Sequence, residues 1–430
     1  MKKVISIALA IFAIALLPRL YVALSDRQVF TPDSIYYNGL AGNILEGKGF
    51  SVGGKPTTFK EPFYPFFLAA VYHIFGNNYA AVKVIQAIIG ALTCVIIFMI
   101  ARRLFDAKTA VLGALIGCFY PAFIRTTELM ITELLYTFLL ISIIFFLLRY
   151  IQGGGYGNLA FCGAALGIAS LTRSVIVLLP VFILLLAGKI FLSQARSVKK
   201  YIISAAILLA FFILPIAPWT VRNWKVAHRF IPISTTMGIG LYSSYVPKEG
   251  KLYGFIASDE VVEKSRSLGS EAAQSDFLAK EALKYIKNNP LRVLKLEVLK
   301  TVYFWSVFDW EILGNGVYNY MYAFIMPFFI LGIFVNSKRS WELAPVYLPI
   351  IYSFCVSLVF YGSPRFRLPI EPYIIMIGAA GIFHFIRRSR NKILPGLLIS
   401  GYFMLNVCFY AASYETKVFF RSIFQKIGLW

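Results

Sequence analysis

Residues 129–148 read LMITELLYTFLLISIIFFLL, twenty residues that carry a single charge, Glu133, and are followed directly by Arg149. A block of that length and apolarity is long enough to cross the roughly 30 Å hydrocarbon layer of a bilayer as one helix. Working outward, similar blocks lie near 4–24, 80–101, 109–124, 158–172, 174–192, 201–221, 317–335, 343–361, 366–386 and 393–412, eleven with the first. Hydrocarbon offers backbone polar groups no water, so such blocks fold as internally hydrogen-bonded helices. The expectation is an all-α polytopic membrane protein with about eleven spans, within limits of ten and thirteen.

Composition agrees. A mean hydropathy of +0.72 with 14% charged residues excludes a disordered chain or an ordinary soluble one. The formal charge of +22 invites a nucleic-acid reading. Its placement argues against that, because the dense clusters are short and follow apolar blocks: Lys2-Lys3, Arg102-Arg103 with Lys108, Lys189 to Lys200, Lys338-Arg339 and Arg387 to Lys392. Alternation from a cytoplasmic N-terminus puts every cluster, and Arg149, on the inner side, as the positive-inside rule requires. Eleven spans then leave the C-terminus outside a plasma (inner) membrane. The five cysteines have no CxxC spacing and read as buried apolar residues. Three histidines without HExxH argue against a histidine-built metal site. The N-terminal block reads as an uncleaved first span, since no small-x-small cleavage site follows it.

Two outer segments exceed mere turns. In the first, 25–79, Thr31-Pro32-Asp33 looks like a helix start. Ile35, Tyr36, Leu40 and Ile44 then recur at near-helical spacing as far as Gly47, and 47–58 reads as loop or hairpin. Such a helix is amphipathic and suits the outer interface. The second segment, 223–316, contains a helix over 271–289 that stops at Asn288-Asn289-Pro290, then another with Lys295 and Lys300 that is expected to lie flat and re-enter. The tail from Tyr414 reads as a last interfacial helix anchored by Trp430.

The polar residues on this outer side carry whatever chemistry there is. Asp33 opens the interfacial helix; its bland role is a first-turn carboxylate worth about 1 kcal/mol. Lys60 and Glu61 follow in the same outer segment, and Glu128 and Glu133 come at the next outer end. On one continuous helix Glu133 lies about 7.5 Å deeper than Glu128. A carboxylate at that depth faces a cavity or a cationic partner, Arg125 or Arg173 being the structural choices. Arg173, Arg222, Arg365 and Arg367 stand on the side where positive-inside logic does not want them, which suits a bound phosphate or a lipid headgroup. Arg19, late in the first span, is expected to snorkel. One outward site with a carboxylate base and several cations suits sugar transfer from a lipid phosphate to a hydroxyl. The base takes the acceptor proton and the cations stabilise the departing phosphate.

At these residues the chain resembles the GT-C integral-membrane glycosyltransferases, in particular the family of dolichyl-phosphate-mannose protein mannosyltransferases and aminoarabinose lipid A transferases. The motifs that match in order are PDSIYYNGLAGNILEGKGF at 32–50, FKEPFYPFFLAAVYHIFG at 59–76, ITELLYTFLL at 131–140, LGIASLTRS at 166–174 leading to PWTVRNW at 218–224, and PRFRLPIEPYIIMIGAAG at 364–381. The resemblance covers 1–225 and 360–381 and is poor over 226–315. It implies a catalytic module over 1–224, including outer loop 25–79, an extracytoplasmic loop with amphipathic helices over 225–316, further spans over 317–412 and an amphipathic tail over 413–430. It implies that Asp33 is the catalytic carboxylate, that Lys60 contacts the carrier phosphate and that Glu133 is the second acidic position. Many relatives carry Asp-Glu where this chain has Asp33-Ser34, and some carry a nearby arginine that it lacks. Phosphate coordination is then expected to fall to Arg222 or to Arg365 and Arg367.

The resemblance implies a polyprenyl-phosphate-linked donor of a hexosyl or pentosyl group, a lipid, envelope-glycan or protein acceptor, and no nucleic acid. It implies no cofactor, although Asp33 with Glu133 could hold a divalent metal in principle. Two rival readings stand beside it. A glycan polymerase or ligase would use diphosphate-linked donors and arginines of a late loop. A lipid or solute transporter would place its acids at the bilayer midplane between repeats, whereas these acids collect at one face.

Overall fold

The computed structural model describes residues 2–25, 29–193, 197–246, 259–309, 311–314, 316–388 and 393–426. Helix α1 (Lys2–Ala23) leads to the first outer segment, which holds α2 (Pro32–Leu45), a two-stranded hairpin of β1 (Ser51–Val52) and β2 (Lys55–Pro56), and α3 (Phe63–Phe75). Then come α4 (Tyr79–Leu104), α5 (Ala107–Cys118), the short α6 (Pro121–Arg125), α7 (Glu133–Ile151), α8 (Gly157–Thr172), α9 (Leu179–Ser193) and the long α10 (Val198–Ala227). The second outer segment contributes α11 (Thr236–Tyr245), α12 (Glu260–Arg266), α13 (Glu271–Asn288) and α14 (Pro290–Phe304). A second small hairpin follows, of β3 (Phe308–Asp309) and β4 (Val317–Tyr318). The chain closes with α15 (Tyr320–Val335), α16 (Ser340–Val359), α17 (Pro364–Arg367), α18 (Glu371–Arg388), α19 (Ile393–Ala411) and α20 (Ser413–Lys426).

Each of the eleven expected blocks holds a helix. Among the described residues seven helices are long and apolar enough to cross a membrane, and the rest of the blocks hold shorter apolar helices. Proline explains the main departures in boundary. The block at 109–124 breaks at Tyr120-Pro121, because a residue before proline is pushed out of helical geometry; Tyr120 has φ −69 and ψ 115. The block at 129–148 becomes helical only at Glu133. Thr126 to Thr132 form an irregular stretch, whose carbonyls at Thr127 and Leu129 accept from the Gln86 amide of α4. Glu128 is therefore not a turn above Glu133 on one helix, and the depth argument fails. Pro180 and Pro369 similarly fall where 174–192 and 366–386 switch from a 3-10 turn to α-helix. In the tail α20 forms, while Trp430, its expected anchor, lies outside the described residues.

Side-chain contacts collect the helix ends into two opposite groups. At one, Arg103 donates to Gln152 at 2.7 Å, Arg387 pairs with Asp106 at 2.5 Å, and Arg339 donates to the Leu104 carbonyl at 2.9 Å. This gathers the ends of α4, α7 and α18 with the starts of α5 and α16, the grouping that the alternation of basic clusters demands. Glu133 opens α7 at its other end, about 27 Å away at 1.5 Å per residue.

The first helix is fixed in an unexpected way. Arg19 does not snorkel; it is 0% exposed. Its guanidinium donates to the carbonyls of Ala15, Gly117 and Cys118 at 2.7, 3.1 and 3.0 Å. The last two are terminal carbonyls of α5, which have no helical partner and carry the negative end of the helix dipole. Gly90 on α4 makes the room, since a Cβ there would lie 2.8 Å from Arg19 Nε.

Membrane helices gain little from the hydrophobic effect against one another and depend on close backbone approach. Gly167 on α8 is such a point: a Cβ there would fall 2.5 Å from the Phe212 carbonyl of α10. Gly167→Ala is expected to overpack this contact by about 1–3 kcal/mol, whereas Gly396→Ala on α19, with nothing within 4 Å, serves as a neutral control. Melting temperatures of the two variants in detergent check this; equal values would refute the close packing of α8 on α10.

Candidate active site

The site starts at the N-terminus of α2. The Thr31 hydroxyl accepts from the Ser34 N–H at 3.1 Å, and the Ser34 hydroxyl accepts from the Thr31 N–H at 2.6 Å. This reciprocal box satisfies two otherwise orphaned donors. It also explains why a serine follows Asp33: its hydroxyl is part of the cap. Asp33, in the first turn, lines the cavity.

Lys60 reaches the same place because the hairpin before it is clamped from two sides. Arg222 of α10 donates to the carbonyls of Thr57 at 2.6 Å and Phe50 at 2.8 Å, while its guanidinium covers the Trp219 ring at 4.8 Å. From α13, the Glu271 carboxylate accepts from the Thr57 hydroxyl at 2.5 Å and from the Thr58 N–H and hydroxyl at 2.5 and 2.8 Å. Lys60 Nζ then lies 3.3 Å from Asp33 Oδ1.

Arg365, on α17, completes the cluster. One Nη is 2.7 Å from Asp33 Oδ2, its Nε donates to Glu133 Oε1, and its other Nη is 3.6 Å from Glu311 Oε2. Glu133 is 0% exposed and also takes a bond of 2.7 Å from Arg173, whose guanidinium covers the Phe366 ring at 4.8 Å. Glu61 turns the other way. It accepts from the hydroxyls of Ser174, Ser234 and Thr236 at 2.7, 3.0 and 3.3 Å, which makes a wall of hydroxyl groups around one carboxylate.

These groups line a cavity of about 1690 Å³. Its polar part holds Asp33, Lys60, Glu61, Arg173, Glu311 and Arg365, with Glu133 buried behind them. Its apolar part runs between α9 and α16 along Leu178, Phe182, Leu348, Ile351, Cys355 and Val359. Several of these wall residues are exposed large hydrophobics, so the cavity continues to the outer surface of the bundle.

Five of the nine expected site residues thus line the cavity, and Glu133 contacts it through two arginines. The remaining three stand elsewhere. Glu128 pairs with Arg125 beside the irregular stretch. Arg222 holds the hairpin. Arg367 is buried against Glu371 at 2.8 Å and donates to the carbonyls of Phe304 and Ser306 at 2.6 and 2.7 Å. Sequence reasoning missed Glu311. The available signal was two acids, Asp309 and Glu311, in the aromatic stretch FDWEILGNG, and nothing there says that its loop folds over α17. The site also draws on both ends of the chain, since Glu311 and Arg365 lie beyond the expected catalytic module.

Burial pushes the Asp33 carboxyl up, but the charges of Lys60 and Arg365 override it and hold the group at about 2. An Arg365 nitrogen bonds each of the two acids, so the Asp33–Glu133 pair is answered by a cation of the protein's own. Among the described residues no three His, Cys, Asp or Glu side chains gather as metal ligands. A depressed carboxylate contributes stability that is complete above its unfolded value, near 3.9, and is lost as pH falls through the folded value. Lys60→Met removes one of the two cations and is expected to raise the Asp33 pKa. Carboxylate infrared bands, assigned by difference from an Asp33→Asn sample, check this; an unmoved band would refute the pairing.

Residues 55–219 match the family described as dolichyl-phosphate-mannose-protein mannosyltransferase. No curated protein matches the sequence. Among solved structures, the apo oligosaccharyltransferase of Archaeoglobus fulgidus superposes with a TM-score of 0.57 at 15% identity, over 95% of this chain and 55% of that one. The oligosaccharyltransferase AglB from Archaeoglobus fulgidus, in complex with an inhibitory peptide and a dolichol-phosphate, gives 0.53 at 13% identity over 95% and 56%. ArnT from Cupriavidus metallidurans, bound to undecaprenyl phosphate, gives 0.44 at 15% identity over 89% and 80%, too loose a superposition to argue from. The chain spans just over half the length of the two oligosaccharyltransferase chains. By sequence, residues 55–219 resemble the dolichyl-phosphate-mannose-protein mannosyltransferase family, and over nearly its whole length the chain shares the fold of the Archaeoglobus fulgidus oligosaccharyltransferase.

Proposed function

We propose that the protein transfers a sugar from a polyprenyl-phosphate carrier to a hydroxyl acceptor on the extracytoplasmic face of the membrane. The observation that carries this reading is the direct contact of Asp33 with Lys60 and Arg365 at the mouth of an apolar groove. A carboxylate beside cations, open to a groove, is what a lipid phosphate and an acceptor hydroxyl together require. AglB, which has the same fold, binds a dolichol-phosphate. The groove between α9 and α16 takes the isoprenoid tail in this reading, and Lys60, Arg365 and Arg173 hold the phosphate. The hydroxyl wall around Glu61 faces the sugar.

In the reaction the acceptor oxygen forms a bond to the anomeric carbon while the bond from that carbon to the phosphate oxygen breaks. The bonding pair leaves with the phosphate, which changes from a diester with one charge to a monoester with two. Lys60 and Arg365 stabilise that added charge, and such preorganised cations act most strongly where water is excluded. The acceptor proton passes to Asp33. With its pKa near 2 in the free protein, Asp33 is a weak base, since an efficient base titrates near the working pH. A phosphate that engages Lys60 and Arg365 reduces their pull on Asp33 and makes it a stronger one. Glu133, held by Arg173 and Arg365, fixes the position of both guanidiniums. The outward orientation rests on the basic clusters at the opposite helix ends.

Incubation of purified protein with radiolabelled polyprenyl-phosphate sugars and a membrane extract tests the reading, through identification of the labelled product. Asp33→Asn is expected to lower turnover by about 10²–10⁴-fold with unchanged yield and melting temperature; retained turnover would refute the role of Asp33. Diphosphate-linked donors as the sole substrates would favour a polymerase or ligase, and movement of substrate across vesicles without a covalent product would favour a transporter. A second expectation concerns pH. The kcat/KM profile should show no acid limb above pH 4, because Asp33 is already ionised there, while kcat should fall at a higher pH. An acid limb in kcat/KM that disappears in Asp33→Asn would contradict this.

A further inference from the structure

Arg365 is shared by three carboxylates, and they are not equivalent. Glu133 is fully buried and held by Arg173 as well, and Asp33 is held at 2.7 Å with Lys60 on its other oxygen. Glu311 is the outlier: its contact to Arg365 is the longest, 3.6 Å, and its side chain is 40% exposed in the cavity. Its second contact is to Ser363, whose hydroxyl donates to Glu311 Oε1 while accepting from the Arg365 N–H at 3.2 Å. The Glu311 carboxylate therefore touches one guanidinium nitrogen and one serine hydroxyl, the pair of donors that two oxygens of a phosphate would take.

The charge count points the same way. Three acids line the cavity with three cations, and Glu133 lies behind them, so the cluster carries one net negative charge before any ligand enters. An anionic headgroup that takes both Arg365 and Ser363 must displace the acid that now holds them. Glu133 and Asp33 each keep a second cation, Arg173 and Lys60, that holds them in place, whereas among the described residues Glu311 is paired with Arg365 alone. Glu311 can swing into the aqueous part of the cavity by side-chain rotation alone. Its backbone is held: Asp309 Oδ1 accepts from the N–H groups of Glu311, Ile312 and Leu313 at 3.1, 2.8 and 3.1 Å, and Arg367 anchors the carbonyls of Phe304 and Ser306.

We propose that Glu311 is an internal stand-in for the carrier phosphate: it occupies Arg365 and Ser363 in the free protein, and the phosphate binds by displacing it. This rests on the reading of the cavity as a lipid-phosphate site. Such a residue sets how strongly the site discriminates between anions. A singly charged or weakly held anion does not dislodge the carboxylate, whereas a phosphate anchored by an apolar tail does. It also eases departure of the spent carrier, since the returning carboxylate competes for the same two donors.

The test is titration of farnesyl phosphate and of inorganic phosphate into the full chain in lipid nanodiscs, with wild type, Glu311→Gln, Glu311→Asp, Ser363→Ala and Arg365→Met. Glu311→Gln is expected to bind farnesyl phosphate at least about tenfold more tightly than wild type, since a like charge about 4 Å away is removed. It should also gain measurable affinity for inorganic phosphate. Glu311→Asp, with a shorter reach to Arg365, should fall between the two and provides the readout if Glu311→Gln does not fold. Ser363→Ala in the Glu311→Gln background should reverse part of the gain. Unchanged or weaker binding by Glu311→Gln, with wild-type binding present and lost in Arg365→Met, overturns the stand-in while leaving the lipid-phosphate site intact. No farnesyl phosphate binding by any variant overturns both.

Discussion

The guanidinium of Arg365 ties the two halves of this chain together. It belongs to the last outer turn, yet it bonds Asp33 of the first outer segment and Glu133 at the head of α7. One planar fork with several donors can serve acids that approach from different directions, which an ammonium cannot do with the same geometry. Removing one partner of a buried pair typically costs about 3–5 kcal/mol, most of it from the charge left behind. The cavity walls from α9 and α16 meet the polar cluster where this contact holds them. A chain that loses it keeps its spans but loses the arrangement in which its carboxylates and cations share one space.

That arrangement sits at helix ends and not at the bilayer centre, and the energetics explain why. Glu133 is the first residue of α7, where the positive end of the helix dipole adds to Arg173 and Arg365. A carboxylate midway along the helix would have neither the dipole nor the loop-borne arginines. The same logic runs in reverse for Arg19, a buried cation without an acidic partner, which is settled on terminal carbonyls of α5. In both cases the chain answers a buried charge with the unpaired ends of helices, joined by counter-ions at Glu133. This is economical in an apolar interior, where every additional ion must be desolvated.

Much of this was legible in the residues themselves, and the parts that were not share a cause. Thr31-Pro32-Asp33 announced α2 through capping chemistry that acts over three residues. The eleven apolar blocks announced their helices because hydrocarbon permits little else. The outer arginines stood out as misplaced, but their division of labour did not follow from that. Arg222 and Arg365 are both basic residues beside an outer turn, and only three-dimensional packing sends one to the Phe50 and Thr57 carbonyls and the other into the cavity. Glu128 was misread because α7 begins only at Glu133, and the stretch before it gives its Thr127 and Leu129 carbonyls to Gln86 of another helix. Glu311 went unnoticed because the contact that gives it meaning spans fifty residues of intervening chain and depends on a folded loop.

The arginines that miss the cavity are as informative as the two that line it. Arg222 closes the hairpin that precedes Lys60, and Arg367 holds the loop from which Glu311 projects. Each spans two carbonyls, so each fixes a loop backbone at two points. Loops ordinarily are the mobile part of a protein, and a charged side chain on a mobile loop has no definite distance to its partner. Here the cations beneath the loops supply the rigidity that a strand or helix would supply elsewhere, which agrees with the need to hold reacting groups within about 0.5 Å of their working positions. Positive charge on the outer side of this protein therefore has two separate uses, to meet an anion and to hold still the groups that meet it. Only the first use requires that the arginine be reachable from the cavity.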